Sequence, residues 1–463
     1  MRTHQRPQAA VRWFFVVLMA FTAHAFATSW TEQVLYSFQG GTNDGSDPAG
    51  GVVFDKAGNL YGATTGAGGS NCAPIGNECG LVYQLSPPAK QGDPWTETIL
   101  YQFQGKDAND GSVPEGGVII DSAGNLYGTT AYGGTGDCVL LGVSAGCGTV
   151  YELSPPQQKG QQWTETILYS FESGNDGYFP WGSLTFDSKG NLYGATQFGG
   201  GKGTSCDPYF QYCGTVFEVS PPKEKGGKWA EKVLHSFAGM TNGKQMGDGA
   251  NPNGGLVLDG KGAIYGTSVF GGYDGGECAK VGCGTVFQLV PPAKKGGRWT
   301  ERILHKFRGQ DGAEPDSGAI FGKDGNLYGS ASGGGPHGYG MIFELAKAKG
   351  KSRMWTETVL YLFNGTSGGT SPVGGLVFDA SGYLYGTTHW GESPGSVFQL
   401  KPQKGGTWIL DYLHSFVKVP DGLYPTATLT FDEQHNLYGT TQEGGSGTAC
   451  GYGGCGTVVE VSP

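Results

Sequence analysis

The sequence predicts an all-β fold, a single seven-bladed β-propeller of four-stranded blades, and three observations carry that prediction. A Trp that opens an extended segment recurs at Trp30, Trp95, Trp163, Trp229, Trp299, Trp355 and Trp408. Each of the seven units so marked repeats the same four apolar runs, separated by turn signals. The composition combines 87 Gly and 12% aromatic residues with only 15% charged ones. That suits short strands joined by tight turns and excludes both a helical protein and a solvated coil.

Residues 1–27 read as a secretory signal, leaving residues 28–463 as one seven-repeat domain. Arg2, Arg6 and Arg12 supply the basic start, Trp13 to Phe21 the apolar core, and Ala25-Phe26-Ala27 a small-x-small cleavage site. An uncleaved N-terminal anchor is the alternative. The apolar run, however, is shorter than the roughly 20 residues of a spanning helix, and no membrane span is expected after cleavage. Export to the periplasm, the cell surface or the exterior follows. The net charge of −10, more negative once the basic signal residues are gone, argues against nucleic acid as a partner.

Unit two shows the four runs in chain order: Trp95 to Phe103, Gly117 to Asp121, Asn125 to Thr130 and Gly148 to Leu153. The first alternates with period two, so Ile99, Tyr101 and Phe103 should face one way and Thr98, Leu100 and Gln102 the other. Asp121-Ser122-Ala123-Gly124-Asn125 is a tight turn in which Asp caps its own backbone and Gly supplies positive φ. The Gly-Gly-Val-Ile-Ile-Asp run from Gly116 to Asp121 is placed innermost, followed outward by Asn-Leu-Tyr, Gly-Thr-Val and the Trp-led run. On that phase the chain starts with an outer strand and ends with three inner ones. Trp30 to Phe38 should therefore pair with Gly456 to Val461 and close the ring without edges. A linear solenoid would need atypical capping units, and neither terminal unit is one.

The recurring Gly-Asn-Leu-Tyr-Gly-Thr-Thr, followed by Gly-Gly and by Gly-Thr-Val-Phe-Glu-Leu, resembles the GloVer tandem repeat of bacterial "choice-of-anchor" surface proteins. The resemblance covers Trp30 to Pro463. Unit five departs from it, with Phe321-Gly322 where Asp is usual and Ser330 for the first Thr, and no apolar sorting tail precedes Val461-Ser462-Pro463. The resemblance implies export and a repeat-built shell, without a defined reaction.

Ten cysteines form five close pairs, Cys72/Cys79, Cys138/Cys147, Cys206/Cys213, Cys278/Cys283 and Cys450/Cys455, each in the same loop of its unit. Units five and six lack both members. Residues gained and lost together are expected to bond to each other; zinc is the alternative, but a pair offers two ligands where a structural site needs four.

On one face of the ring lie the outer-to-inner connections and the stapled loops, where acids outnumber bases; on the other, Lys and Arg dominate, among them Lys223, Lys225, Lys294 and Arg298. The acidic face repeats Asp-Gly at Asp44, Asp110, Asp176, Asp248, Asp311 and Asp421, either as turn chemistry or as carboxylates around a channel mouth holding Ca²⁺. An aromatic precedes Gly in four of its loops: Tyr132, Phe198, Phe270 and Trp390. These rings either pack on the neighbouring blade or present themselves to a sugar. No catalytic or phosphate-binding motif is present. His235, His305 and His414 replace an outer-strand Tyr and read as packing variants. His337 and His389, with Glu392 nearby in sequence, form the one acid–base candidate. The expected function is a monomeric, non-catalytic binding or scaffold propeller recognising a polysaccharide or a cell-envelope protein, with no cofactor beyond Ca²⁺. A propeller hydrolase or lyase acting on glycans is the alternative, and a purely structural surface component a third.

Overall fold

In each unit an Asp-centred turn sets the register of the strands that follow it. Asp121 Oδ1 accepts the amides of Ala123 and Asn125 at 2.8 and 2.9 Å, while Oδ2 accepts Asn125 Nδ2 and the Tyr127 hydroxyl. Unit five keeps the device despite Gly322, because Asp324, two residues later, accepts from Asn326 Nδ2 and Tyr328 OH at 2.8 and 2.9 Å.

The computed structural model describes residues 30–67, 72, 79–90, 92–140, 142–158, 160–200, 213–239, 247–273, 278, 281–347, 355–365 and 369–463; residues 1–27, read above as a secretory signal, lie outside them. Blade two runs from inside to outside as Ile119–Ile120, Leu126–Thr130, Thr149–Ser154 and Thr164–Ser170, all antiparallel. The other blades repeat this order, and each outermost strand is lent by the next unit in sequence. The last blade takes its outermost strand from the N-terminus, Thr31 pairing with Ser462 and Ser37 with Thr457. The ring thus closes by hydrogen bonds, with the predicted phase. No helix among the described residues is long and apolar enough to cross a membrane.

The strict alternation expected of the outer strand is corrected by a bulge. Val82 pairs with Tyr101 and Tyr83 with Ile99, so Leu100 has no partner, and both Leu100 and Phe103 are buried. The same register break recurs in all seven outer strands. One extra residue re-aims the strand. Tyr101 thereby turns into the gap between blades while Leu100 still reaches the core.

The core lies between blades rather than within them. The Tyr of each Leu-Tyr-Gly run is the hub: Tyr127 packs edge-on against Phe186 at 5.2 Å and against Trp229 at 6.4 Å, both from the next blade. Gly62 is required where the third-strand ring lies across the second strand, since a Cβ there would run into the Tyr83 phenol. Around the axis, backbone meets backbone: a Cβ on Gly116 would sit 2.8 Å from the Gly182 carbonyl of the next blade. This is why four of the seven innermost runs begin with Gly-Gly and the others with small residues, Gly182-Ser183, Ser317-Gly318 and Ala427-Thr428.

Candidate functional site

Seven loops converge on the axis, and each carries the same strained step. Prolines at 48, 114, 180, 252, 315, 372 and 425 lead into the innermost strands. The residue before each of them, Asp47, Val113, Phe179, Asn251, Glu314, Ser371 or Tyr424, has a positive φ of 50–59°. That region is unfavourable for a residue with a Cβ, and helical backbone before proline more so, at a cost of order 1–3 kcal/mol per residue. Each strained amide is held from across the blade gap. Val113, Phe179, Asn251, Glu314 and Asp47 donate to the carbonyls of Cys79, Cys147, Cys213, Cys283 and Cys455 at 2.8–3.0 Å. Where the cysteines are missing, the carbonyls of Tyr339 and Pro394 serve Ser371 and Tyr424.

The disulfides therefore brace the loops that hold the channel mouth. Cys72–Cys79, Cys138–Cys147, Cys278–Cys283 and Cys450–Cys455 are bonded, with Cα separations of 5.0–5.2 Å. Cys213 is bonded as well; Cys206 lies outside the described residues.

The residue after each proline lines a cavity of about 600 Å³ on the axis: Ala49, Glu115, Trp181, Asn253, Asp316, Val373 and Thr426, joined by His389 and Gln442. One backbone frame thus presents seven different side chains. Burial, with Asp47 nearby, pushes the Glu115 carboxyl up to about 8. Asp316 is raised to about 6 by burial despite a 2.7 Å hydrogen bond from Ser332 Oγ. Burial lowers His389, which is therefore neutral near pH 7. Gln197 Nε2 donates to Asn253 Oδ1 at 2.9 Å and fixes that amide.

None of the four aromatics picked out by sequence is among the residues lining this cavity. Tyr132, Phe198 and Phe270 are half-buried. Tyr132 packs on Phe179 of the next blade at 4.5 Å, and Phe198 reaches the same ring at 5.5 Å. Tyr132 also feels Glu115, its hydroxyl being raised to about 12 by burial and by that carboxyl. Trp390 is 51% exposed and packs on His389 and Tyr424, each at 4.6 Å. The acid–base candidate does not assemble: His389 lines the channel, while His337 and Glu392 are exposed on their loops.

The Asp-Gly carboxylates accept backbone amides of their own loops, as the turn reading expects, and are not among the residues lining the mouth. Each turns outward into a separate gap between blades. Asp110 accepts from Tyr101 OH at 2.9 Å and from the amides of Gln104 and Gly111. His235, His305 and His414 take the Tyr position beside Asp248, Asp311 and Asp421 at 3.2–3.3 Å. With Glu301, Glu357 and Glu32 they form three His/Asp/Glu groups whose ligand atoms lie within 4.8 Å of one another, the residues on which a metal ion would fit.

Glu115, Trp181, Asn253 and Asp316 belong to no recurring motif of their own; only the proline before each marks its place.

Comparison with known proteins adds family and fold. The family model described as the Gloeobacter/Verrucomicrobia repeat matches residues 21–276 and 274–463. No curated protein matches the sequence. Pseudomonas fluorescens PhoX in complex with vanadate aligns over 94% of this chain and 95% of its own at 12% identity, TM-score 0.45. A Dyadobacter fermentans protein of unknown function aligns over 83% and 98% at 14% identity, TM-score 0.40. These likenesses carry no argument about activity.

Proposed function

We propose a function from one premise: this chain belongs to the Gloeobacter/Verrucomicrobia repeat family. It is an exported propeller that binds a polysaccharide, without turning it over, at the channel mouth of its disulfide-stapled face. The observation that carries this is the ring of seven different side chains on one strained, repeated Pro-x frame. A merely structural ring has no need to change from blade to blade, and strain that persists at a cavity is the kind kept for function. Trp181 in the cavity, with Tyr132 beside Glu115 and Trp390 beside His389, suits the apolar faces of sugars, while Asn253, Gln442 and the carboxyls suit their hydroxyls. The bonded cysteines agree with an oxidising compartment.

The test is a thermal-shift screen of the oxidised protein, residues 28–463, against soluble polysaccharides. A ligand at 100 times its Kd adds about 2.7 kcal/mol. A shift with one glycan, lost in Trp390→Ala and Trp181→Ala, supports the proposal; no shift with any glycan sinks it.

A second reading, a glycan hydrolase or lyase, is favoured by one observation: Glu115 and Asp316, both with raised proton affinity, share the cavity. In that case Glu115→Gln would abolish release of new chain ends while leaving binding in place.

A further inference from the structure

The channel mouth has a charge problem that its own walls do not solve. Two acids, Glu115 and Asp316, line it, and neither Lys nor Arg is among its lining residues. His389 adds no charge, because burial keeps its imidazole neutral. Among the described residues Asp316 has one hydrogen-bond partner, Ser332 Oγ. Glu115 is enclosed by the inner loops of blades one to three, its backbone abutted through Gly116 by the carbonyls of Trp181 and Gly182. Among the described residues no group hydrogen-bonds its carboxyl. Its facing neighbours are Asp47, whose charge opposes its ionisation, and the Tyr132 ring. A partly buried carboxyl without a partner costs stability, and Glu115 lines the cavity, where a ligand can reach it. The chain keeps this group in one of seven positions where Ala49, Val373 and Thr426 show that an acid is not needed to build the frame.

We propose that the channel mouth takes a ligand bearing protonated primary amines, an amino sugar with free ammonium groups, with Glu115 and Asp316 as its counter-charges and Trp181 as its apolar platform. The assignment rests on the glycan-binding reading above and deepens it by naming the sugar class. An ammonium brings three donors, enough to reach the unpartnered Glu115 carboxyl and leave one for a neutral oxygen such as that of Asn253. Trp is the best of the aromatic faces for a nearby cation. The surplus of acids over bases on the surrounding face raises the local concentration of such a polycation at low salt. Burial favours the protonated Glu115 carboxyl in the free protein, so forming the ion pair sends that proton to the solvent when the amine arrives charged and to the amine when it does not.

The test compares chitosan oligosaccharides with N-acetylated chitin oligosaccharides of equal length by calorimetry on the oxidised protein. Free amines should bind at least tenfold more tightly, with the preference shrinking as NaCl is added. At about pH 6, where most of the sugar amines already carry their protons, titrations in two buffers of different ionisation heat should report net proton release on binding. Glu115→Gln should erase the preference and the proton release while keeping the melting temperature. Asp316→Asn repeats the test should the first variant fail to fold. Equal or tighter binding of the acetylated oligosaccharides overturns the assignment but leaves glycan binding standing. A response to Ca²⁺ alone, lost in Glu115→Gln, overturns it in favour of a metal site. Silence toward both oligosaccharides, with another neutral glycan bound through Trp390 and Trp181, also overturns it. Silence toward every glycan removes the underlying reading too.

Discussion

Residues in one repeat position carry different burdens, and neighbours decide which. Tyr132 and Trp390 occupy the same place in units two and six, yet Tyr132 is half-buried on Phe179 while Trp390 leaves half its surface open. Trp390→Ala should therefore leave the melting temperature within about 1–2 °C, since surface changes usually stay within about 0.5 kcal/mol, and should weaken glycan binding tenfold or more. Tyr132→Ala removes a packed ring, for which losses of about 3 kcal/mol are typical; a thermal melt separates the two variants. Phe321-Gly322 makes the complementary point. A residue missing from the motif is replaced by Asp324, two positions along, because what the turn needs is a carboxylate within reach of Asn326 and Tyr328 rather than a fixed spacing.

Elements interact at the outer rim through a second repeated device. In six of the seven gaps an outer-strand Tyr or His meets the Asp of the next blade's Asp-Gly and the Glu of that blade's outer strand. Burial and the neighbouring Asp push Glu97 up to about 7, Glu165 and Glu231 to about 8, and Glu301 to about 9. The seventh gap lacks the Asp-Gly and has Leu410 where Glu is expected, with Tyr361 hydrogen-bonded to Tyr412 instead. Both acids disappear together, as two groups sharing one proton should. The raised values set a sign. The folded chain binds more protons than the unfolded one from about pH 4.5 upward, so this stability is complete below that pH. It is lost as pH rises through 7–9. The melting temperature should fall between pH 5 and pH 9, and Glu165→Gln should flatten that fall by about 1–2 kcal/mol after solvent screening; an unchanged pH profile would falsify the shared proton. The stapled loop is a further element with a reach beyond itself. Cys138→Ser with Cys147→Ser should cost about 2–3 kcal/mol by loss of chain restriction. It should also weaken ligand binding, because the Cys147 carbonyl holds Phe179 in its strained conformation.

At the scale of the whole molecule, closure makes seven marginal sheets into one ring. Deleting residues 28–38 removes the outermost strand of the last blade and exposes the Thr457–Ser462 edge. Light scattering should then show association together with a lower melting temperature; a monomer of unchanged stability would rule out closure by this strand. The ring also explains how much of the protein could be read beforehand. Trp spacing, Asp-centred turns, the outer-strand phase and the paired cysteines are local signals, and a local signal survives in sequence because strand period and turn geometry act over a few residues. The bulge at Leu100 stayed hidden because it depends on the partner strand, not on the alternation of the strand itself. The Asp-Gly motif identified real carboxylates but not their direction, since turning into a gap or toward the axis is settled by the neighbouring blade. Sequence by itself determined the seven units, their phase and the disulfide-stapled loops. Tertiary structure alone decided that Glu115, Trp181, Asn253 and Asp316, dispersed through four units, would stand together on one axis, because only the closed ring brings those loops within reach of one ligand.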